Sequence, residues 1–249
     1  MSDEVDVPES HPRYHSLLTR HRIEAGVETG ITSQQGLIAQ GRGEAFDYLL
    51  GEETSPSADR AARTAAAALL RADKPVLSVN GNVAALVPEE TVALANAVDA
   101  DIEVNLFNRT EKRIERIADH LGAHGAEEVK GLTADARIPG IDHERAKVDS
   151  DGIYSADVVV VPLEDGDRAE ALGEMDKTEI VIDLNPLSRS PQVASIPIID
   201  NVVRAIPNIT EHAHDLKSRS EPGLHSIIEE FDADTALREA ERTIRASDN

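Results

Sequence analysis

Apolar and polar positions fall into two regimes along the chain. From Pro75 onward, short β-branched runs alternate with stretches of helical period. Val76 to Asn80, Asp101 to Phe107, Ala156 to Val161, Glu179 to Asp183 and Ile196 to Ile199 read as strands, each an apolar run bounded by turn residues. Ala126 to Leu132 reads as a weaker strand, and Thr133 to Asp151 as mostly loop. Helices are predicted from Pro88, across Ile114, Ile117, Ala118 and Leu121, from Ala169, and across Ile206, Ile209, Ala213 and Leu216. Before Pro75 the period is helical: Tyr14, Leu17, Leu18, His21 and Ala25, then Ser33 to Gln40, then Ala58 to Ala72. Gly41-Arg42-Gly43 lies between the last two and reads as a turn. After Lys217 the pattern gives a loop, then a helix with Leu237, Ala240 and Ile244 on one face.

This alternation predicts an α/β fold, a mostly parallel sheet with right-handed crossovers and flanking helices, preceded by a helical N-terminal segment. The expected divisions are 1–74 (helical, packed on the same domain), 75–217 (the sheet core) and 218–249 (a helical tail). Composition refines the picture. Hydrophobic residues make up 40% of 249, enough for a core, but aromatics are only 2% and Trp is absent. The core must then be Val, Ile, Leu and Ala, which suits a buried parallel sheet.

The net charge of −22 changes more. Such a surface repels nucleic acid and anionic membranes. Acid spread evenly over a chain with folding pattern matches the proteins of salt-accumulating microbes. At ~1 M salt the Debye length is ~3 Å, so self-repulsion is screened. Loss of fold or assembly is therefore expected at low salt. With no cysteine, thiolate chemistry and disulfides are excluded. The acidic start, Met1 to Asp6, lacks a signal-peptide pattern, and the apolar run Val158 to Val161 is far short of the ~20 residues of a membrane span. A cytoplasmic location is expected.

Candidate chemistry clusters at the predicted strand ends. Asp183-Leu184-Asn185-Pro186-Leu187-Ser188-Arg189-Ser190 closes the fourth main strand. Ligands of open α/β sheets bind beyond such ends. Asp183 and Asn185 offer hydrogen bonds to a ribose or base edge, and Ser188, Arg189 and Ser190 to phosphate oxygens; an ordinary polar turn fits these residues equally. Arg42 between two glycines is placed either to reach an anion or to be solvated. Asn108-Arg109-Thr110 sets an arginine and a hydroxyl at a helix start, a ready anion site. A similar turn occurs in NADP-dependent dehydrogenases of the shikimate-dehydrogenase type. Against that, Asn80-Gly81-Asn82-Val83-Ala84-Ala85 has one glycine and not the G-x-G-x-x-G/A set. Glu164, Asp165 and Asp167 offer hard oxygen ligands for Mg²⁺, though helix capping in an acidic chain explains them more simply. No residue set reads as a built-in metal site. The pairs His11/His15 and His212/His214 have no evident third ligand. P-loop, nucleophile-elbow and kinase signatures are absent.

Several stretches together resemble one family, the archaeal phosphopantothenate synthetases, or 4-phosphopantoate–β-alanine ligases. They are Ser10 to Tyr14, Gly36 to Tyr48, Ser78 to Asn82, Glu103 to Thr110, Ala156-Asp157, Leu163 to Arg168, Asp183 to Ser190, Asp200-Asn201 and Arg204 to Pro207. The likeness runs from about Val7 to Lys217. It implies a Rossmann-like fold, a homodimer, and use of ATP with Mg²⁺ to join 4-phosphopantoate and β-alanine through an acyl adenylate, releasing AMP and pyrophosphate. By the same matching the nucleotide site falls on Arg20, Arg42, Asp183, Leu184, Asn185, Arg189, Ser190, Asn201 and Val202. Asn108, Arg109 and Thr110 are our own candidates for the substrate phosphate. With the composition, the likeness points to a halophilic archaeon.

Overall fold

The computed structural model describes residues 8, 10, 11, 13–163 and 165–246. Met1 to Asp6, Val7, Pro12 and the candidate ligand Glu164 lie outside the described residues. Three helices come first: α1 Tyr14–Glu28, α2 Gln34–Leu50 and α3 Pro56–Arg71. Then follow β1 Pro75–Val79, α4 Gly81–Leu86, α5 Pro88–Val98, β2 Asp101–Val104, α6 Glu111–Ala123, and a small antiparallel pair, β3 Ala136–Arg137 with β4 Lys147–Val148. The chain continues through β5 Val158–Pro162, α7 Gly166–Gly173, β6 Thr178–Asp183, α8 Arg189–Val193, β7 Ile196–Ile199, α9 Val202–Leu216, α10 Glu221–Glu229 and α11 Ala233–Ala246.

The main sheet has the order β2-β1-β5-β6-β7, with every neighbouring pair parallel. From β1 the chain steps outward to β2, then returns past β1 to β5 and continues the other way. The order therefore reverses between β1 and β5, and a crevice opens beyond the carboxyl ends of those strands.

Alternation along each strand divides the core. Leu77, Val79, Ile102, Val104, Val160, Ile180, Ile182 and Ile198 pack with α3, α5, α6 and α9. Val76, Val159, Val161 and Val181 face the other way, onto α7 and the β3–β4 region. The alanines of α3 explain its placement: Ala61, Ala62, Ala65, Ala66 and Ala67 are fully buried. Small side chains let α3 lie close to α9 and β7, while α10 and α11 close over it. Among the described residues, no helix is long and apolar enough to cross a membrane.

Five expectations need correction. Gly41-Arg42-Gly43 is not a turn but the middle of α2. Two glycines cost a helix roughly 1 kcal/mol each; close packing on Leu184 offsets this at Gly43, whereas Gly41 meets nothing within 4 Å. The stretch Ala126 to Leu132 keeps a single parallel bridge, Lys130 to Glu103. There Gly131 takes φ +98° with Val104 O so close that a Cβ would sit 2.3 Å from it, so pairing stops. β2 ends at Val104, short of Phe107. The hydroxyl-rich stretch after Pro186 forms the short helix α8, and the loop expected after Lys217 contains α10.

Candidate active-site cleft

A cleft of about 560 Å³ lies at the carboxyl rim of the sheet, beneath α2 and beyond β1, β5 and β6. Its roof is held at both ends. At the start of α2, Thr32 Oγ1 donates to Asn82 Oδ1 (2.5 Å) and Asn82 Nδ2 donates to Gly36 O (3.1 Å). A Cβ at Gly36 would stand 2.3 Å from Thr32 Oγ1, so only glycine allows this docking. At the middle of the helix, Gly43 rests on Leu184 just beyond β6, where a Cβ would lie 2.9 Å from Leu184 Cδ1. Further on, buried Asp47 accepts from Asn201 Nδ2 (2.9 Å) and pairs with Arg204, which also holds Asp200 (2.7 Å). Thr54 Oγ1 donates to the other Asp200 oxygen (2.6 Å). Between these anchors Arg42 faces the cleft.

The floor on the β6 side is a tight turn. Asn185 N–H donates to Asp183 Oδ1 (3.0 Å), and Leu187 N–H to Asn185 Oδ1 (3.0 Å). Burial pushes the Asp183 carboxyl up; the Asn185 and Leu184 amides, the Arg42 charge and Ser188 pull it back. Arg42 therefore lies within electrostatic reach of Asp183, as a shared ligand requires.

The opposite wall belongs to the end of β1 and the start of α6. Asn80 Oδ1 accepts from Asn82 N–H (2.9 Å) and Val83 N–H (3.1 Å), while its Nδ2 donates to Pro162 O (2.9 Å), tying β1 to β5. Arg113, in the first turn of α6, donates from Nε to Ile31 O (3.0 Å) and from Nη1 to Asn108 O (3.3 Å). Its Nη2 lies over Gly81, where a Cβ would be 2.5 Å away and also 2.6 Å from Ile31 O. Arg145, from the short turn Glu144–Ala146, joins this wall and pairs with Asp165 at 3.4 Å. Burial holds Arg113 below the usual guanidinium range, and the Arg145 charge adds to the effect.

Of the residues singled out in the sequence, Arg42, Asn108, Asp165, Asp183, Leu184, Asn185, Ser188 and Ser190 line this one cavity. Arg20, Arg189, Asn201, Val202, Arg109, Thr110 and Asp167 do not. Arg20 is bound to Glu44 of α2, Nη2 to Oε1 at 2.6 Å. Arg189 is exposed and held by Asp167 and Glu170. Asn201 and Val202 open α9 beside the cleft, linked to it through Asp200 N–H donating to Asp183 O (3.1 Å). Arg109 turns away, its Nη2 donating to Gly131 O (2.5 Å), and Thr110 caps α6. Asp165 and Asp167 are each paired with an arginine, and the described residues contain no cluster of three or more metal-ligating side chains. Sequence reasoning missed Arg113 and Arg145. Arg113 lay one turn beyond a motif already noted; Arg145, in an irregular loop, carried no signal.

The sequence profile described as phosphopantothenate/pantothenate synthetase matches residues 57–247. A protein of Thermococcus onnurineus named 4-phosphopantoate–β-alanine ligase is 56% identical over 242 residues, covering 97% of this chain and 93% of its own. Its counterparts of the same name in Thermococcus kodakarensis and Methanosarcina mazei are 53% identical (97% and 93% covered) and 54% identical (95% and 93% covered). The dehydrogenase alternative raised by Asn108-Arg109-Thr110 finds no support in these likenesses. With such identity over nearly the whole length, and a profile match across the whole sheet, the chain belongs to the phosphopantothenate/pantothenate synthetase family.

Proposed function

We propose that this protein joins 4-phosphopantoate to β-alanine at the expense of ATP, giving 4′-phosphopantothenate, AMP and pyrophosphate in coenzyme A synthesis. The observation that carries the reading is the 53–56% identity to ligases of that name. The cleft agrees with it. In a chain of net charge −22, three arginines, Arg42, Arg113 and Arg145, meet in one cavity at the rim of the sheet. Polyanionic substrates need such a place.

In the proposed reaction a carboxylate oxygen of 4-phosphopantoate attacks the α-phosphorus of ATP, and the bond to pyrophosphate breaks. The β-alanine amine then attacks the acyl carbon; the bond to AMP breaks and the amine proton passes to solvent. Neither step asks for an enzyme nucleophile, in keeping with the missing cysteine. The chain's part is binding and charge. Arg42, held over the cleft by both anchors of α2, meets phosphate oxygens whose charge grows in the transition state. Asp183 and Asn185 orient the nucleoside, with Leu184 and Ser190 beside them. Arg189, Arg20, Asn201 and Val202 stand at the margins, where a bound nucleotide would have to draw the two arginines from their acids. Mg²⁺ would arrive on the nucleotide and neutralise phosphate charge there. The roof limits water, which would otherwise hydrolyse the activated acid. We further read the protein as a cytoplasmic homodimer; Ile38, Tyr48 and Leu49, exposed on α2, suit a second copy.

Purified protein in high KCl with Mg²⁺, ATP, 4-phosphopantoate and β-alanine should release AMP and form the amide. Arg42→Ala should lose most turnover with an unchanged melting temperature. Near-normal AMP release by that variant removes Arg42 from the site, and no amide from the parent protein overturns the ligase reading.

A further inference from the structure

We propose that Arg113 and Arg145 form a subsite for the phosphate monoester of the acid substrate, separate from the nucleotide end of the cleft. This rests on the ligase reading above and assigns one end of that substrate to named residues.

The two side chains come from unrelated parts of the chain, the first turn of α6 and the Glu144–Ala146 turn, and meet on one wall. Neighbouring guanidinium groups repel, and here burial first and then the Arg145 charge make the charged form of Arg113 harder to keep. A dianion between them converts that cost into attraction. A phosphate monoester carries about −1.5 to −2 at neutral pH.

The geometry is prepared for it. Arg113 is fixed by Ile31 O and Asn108 O through Nε and Nη1, which leaves Nη2 over Gly81 at the cleft wall. Arg145 forms an ion pair with Asp165 at 3.4 Å. A guanidinium fork held in this way suits phosphate oxygens better than a flexible ammonium does. Arg109 does not line the cleft; its Nη2 donates to Gly131 O.

Position gives the orientation. The wall stands at the end of β1, and Asp183 ends β6, with β5 between them. Two strand spacings amount to about 10 Å. 4-Phosphopantoate has a four-carbon chain with phosphate at one end and carboxylate at the other. Seated on Arg113 and Arg145, it directs its carboxylate towards Arg42 and the nucleotide end, where activation must occur.

The test uses the full chain in high KCl with Mg²⁺ and the variants Arg113→Ala, Arg145→Ala, Arg113→Lys and Arg145→Lys. The KM for 4-phosphopantoate is measured at saturating ATP, and ATP affinity is measured calorimetrically without the acid. Charge-assisted hydrogen bonds of the usual strength predict a rise in the acid KM of about 10- to 100-fold in the alanine variants, with ATP affinity unchanged. The lysine variants should lose less. An unchanged acid KM, or an equal fall in ATP affinity, overturns the subsite. Should the alanine variants fail to fold, the lysine variants decide by the same two measurements. If the parent protein releases no AMP, the ligase reading has failed. Calorimetric titration of parent and variants with 4-phosphopantoate then still decides the subsite: binding weakened by either substitution supports it, and equal binding or none overturns it.

Discussion

Glu103 should make the protein lose stability as pH rises through neutrality. It lies on β2 beside Ser78 of β1, fully buried, on the sheet face opposite Ile102 and Val104. Its carboxyl accepts from Ile153 N–H (2.6 Å) and Asp149 N–H (3.1 Å), so it fixes the loop leading to β5. Gly152 passes so close that a Cβ would lie 2.1 Å from Oε2. Burial is the largest influence and raises the group to about 7 from an ordinary 4.5; the two amides and the Arg168 charge oppose it, and Asp149 adds to it. A carboxyl raised in the folded state binds its proton more tightly there than in the unfolded chain. Its contribution is fully present below pH 4.5 and is lost as pH rises through 7. The span of about 2.5 units corresponds to about 3 kcal/mol. Urea unfolding at pH 5, 6, 7 and 8 in constant high KCl should show this decline. Glu103→Gln, a neutral isostere, should remove about that much of the slope. Its amide group opposes Ile153 N–H, a fixed cost that shifts the curve without tilting it. Asp183 and Asp200, also raised by burial, add to the trend in both proteins and cancel in the difference. Parallel stability curves for the two proteins between pH 5 and 8 would refute the reasoning.

Two further outcomes are expected. Asp47→Ala should cost about 2–3 kcal/mol in urea unfolding, less than the ~3–5 of a fully enclosed pair because Arg204 is partly exposed and keeps Asp200; it should also raise the KM for ATP, because the roof helix loses its far anchor. Lowering KCl from multimolar to ~0.01 M lengthens the Debye length to ~30 Å and unscreens the −22 charge, so the melting temperature should fall; a melting temperature independent of salt would contradict the reading of the composition.

How much of the site was legible depended on whether local sequence or distant packing set each position. Asp183 and Asn185 were legible because they end an apolar run, and a run of that kind has one place in a parallel sheet. Arg42 was noticed for its glycines, but the helix through it was not. Within that helix Gly36 and Gly43 serve contacts with Asn82 and Leu184, about 46 and 140 residues away in sequence. Arg109 and Arg113 are one helical turn apart, and pattern alone cannot say which turns inward. Gly81 and Ile31 O decide it, by giving Arg113 space and an acceptor.

The sequence by itself determined the class of fold, the strand positions at β1, β5, β6 and β7, the aliphatic core and the family likeness. Each follows from residue chemistry and short-range periodicity, which need no knowledge of distant partners. The tertiary structure alone decided the reversal of strand order between β1 and β5, the roof formed by α2, and which arginines reach the cleft. Those depend on contacts between segments far apart in the chain. There, excluded volume at a few glycines and the pairing of buried charges outweigh local preference.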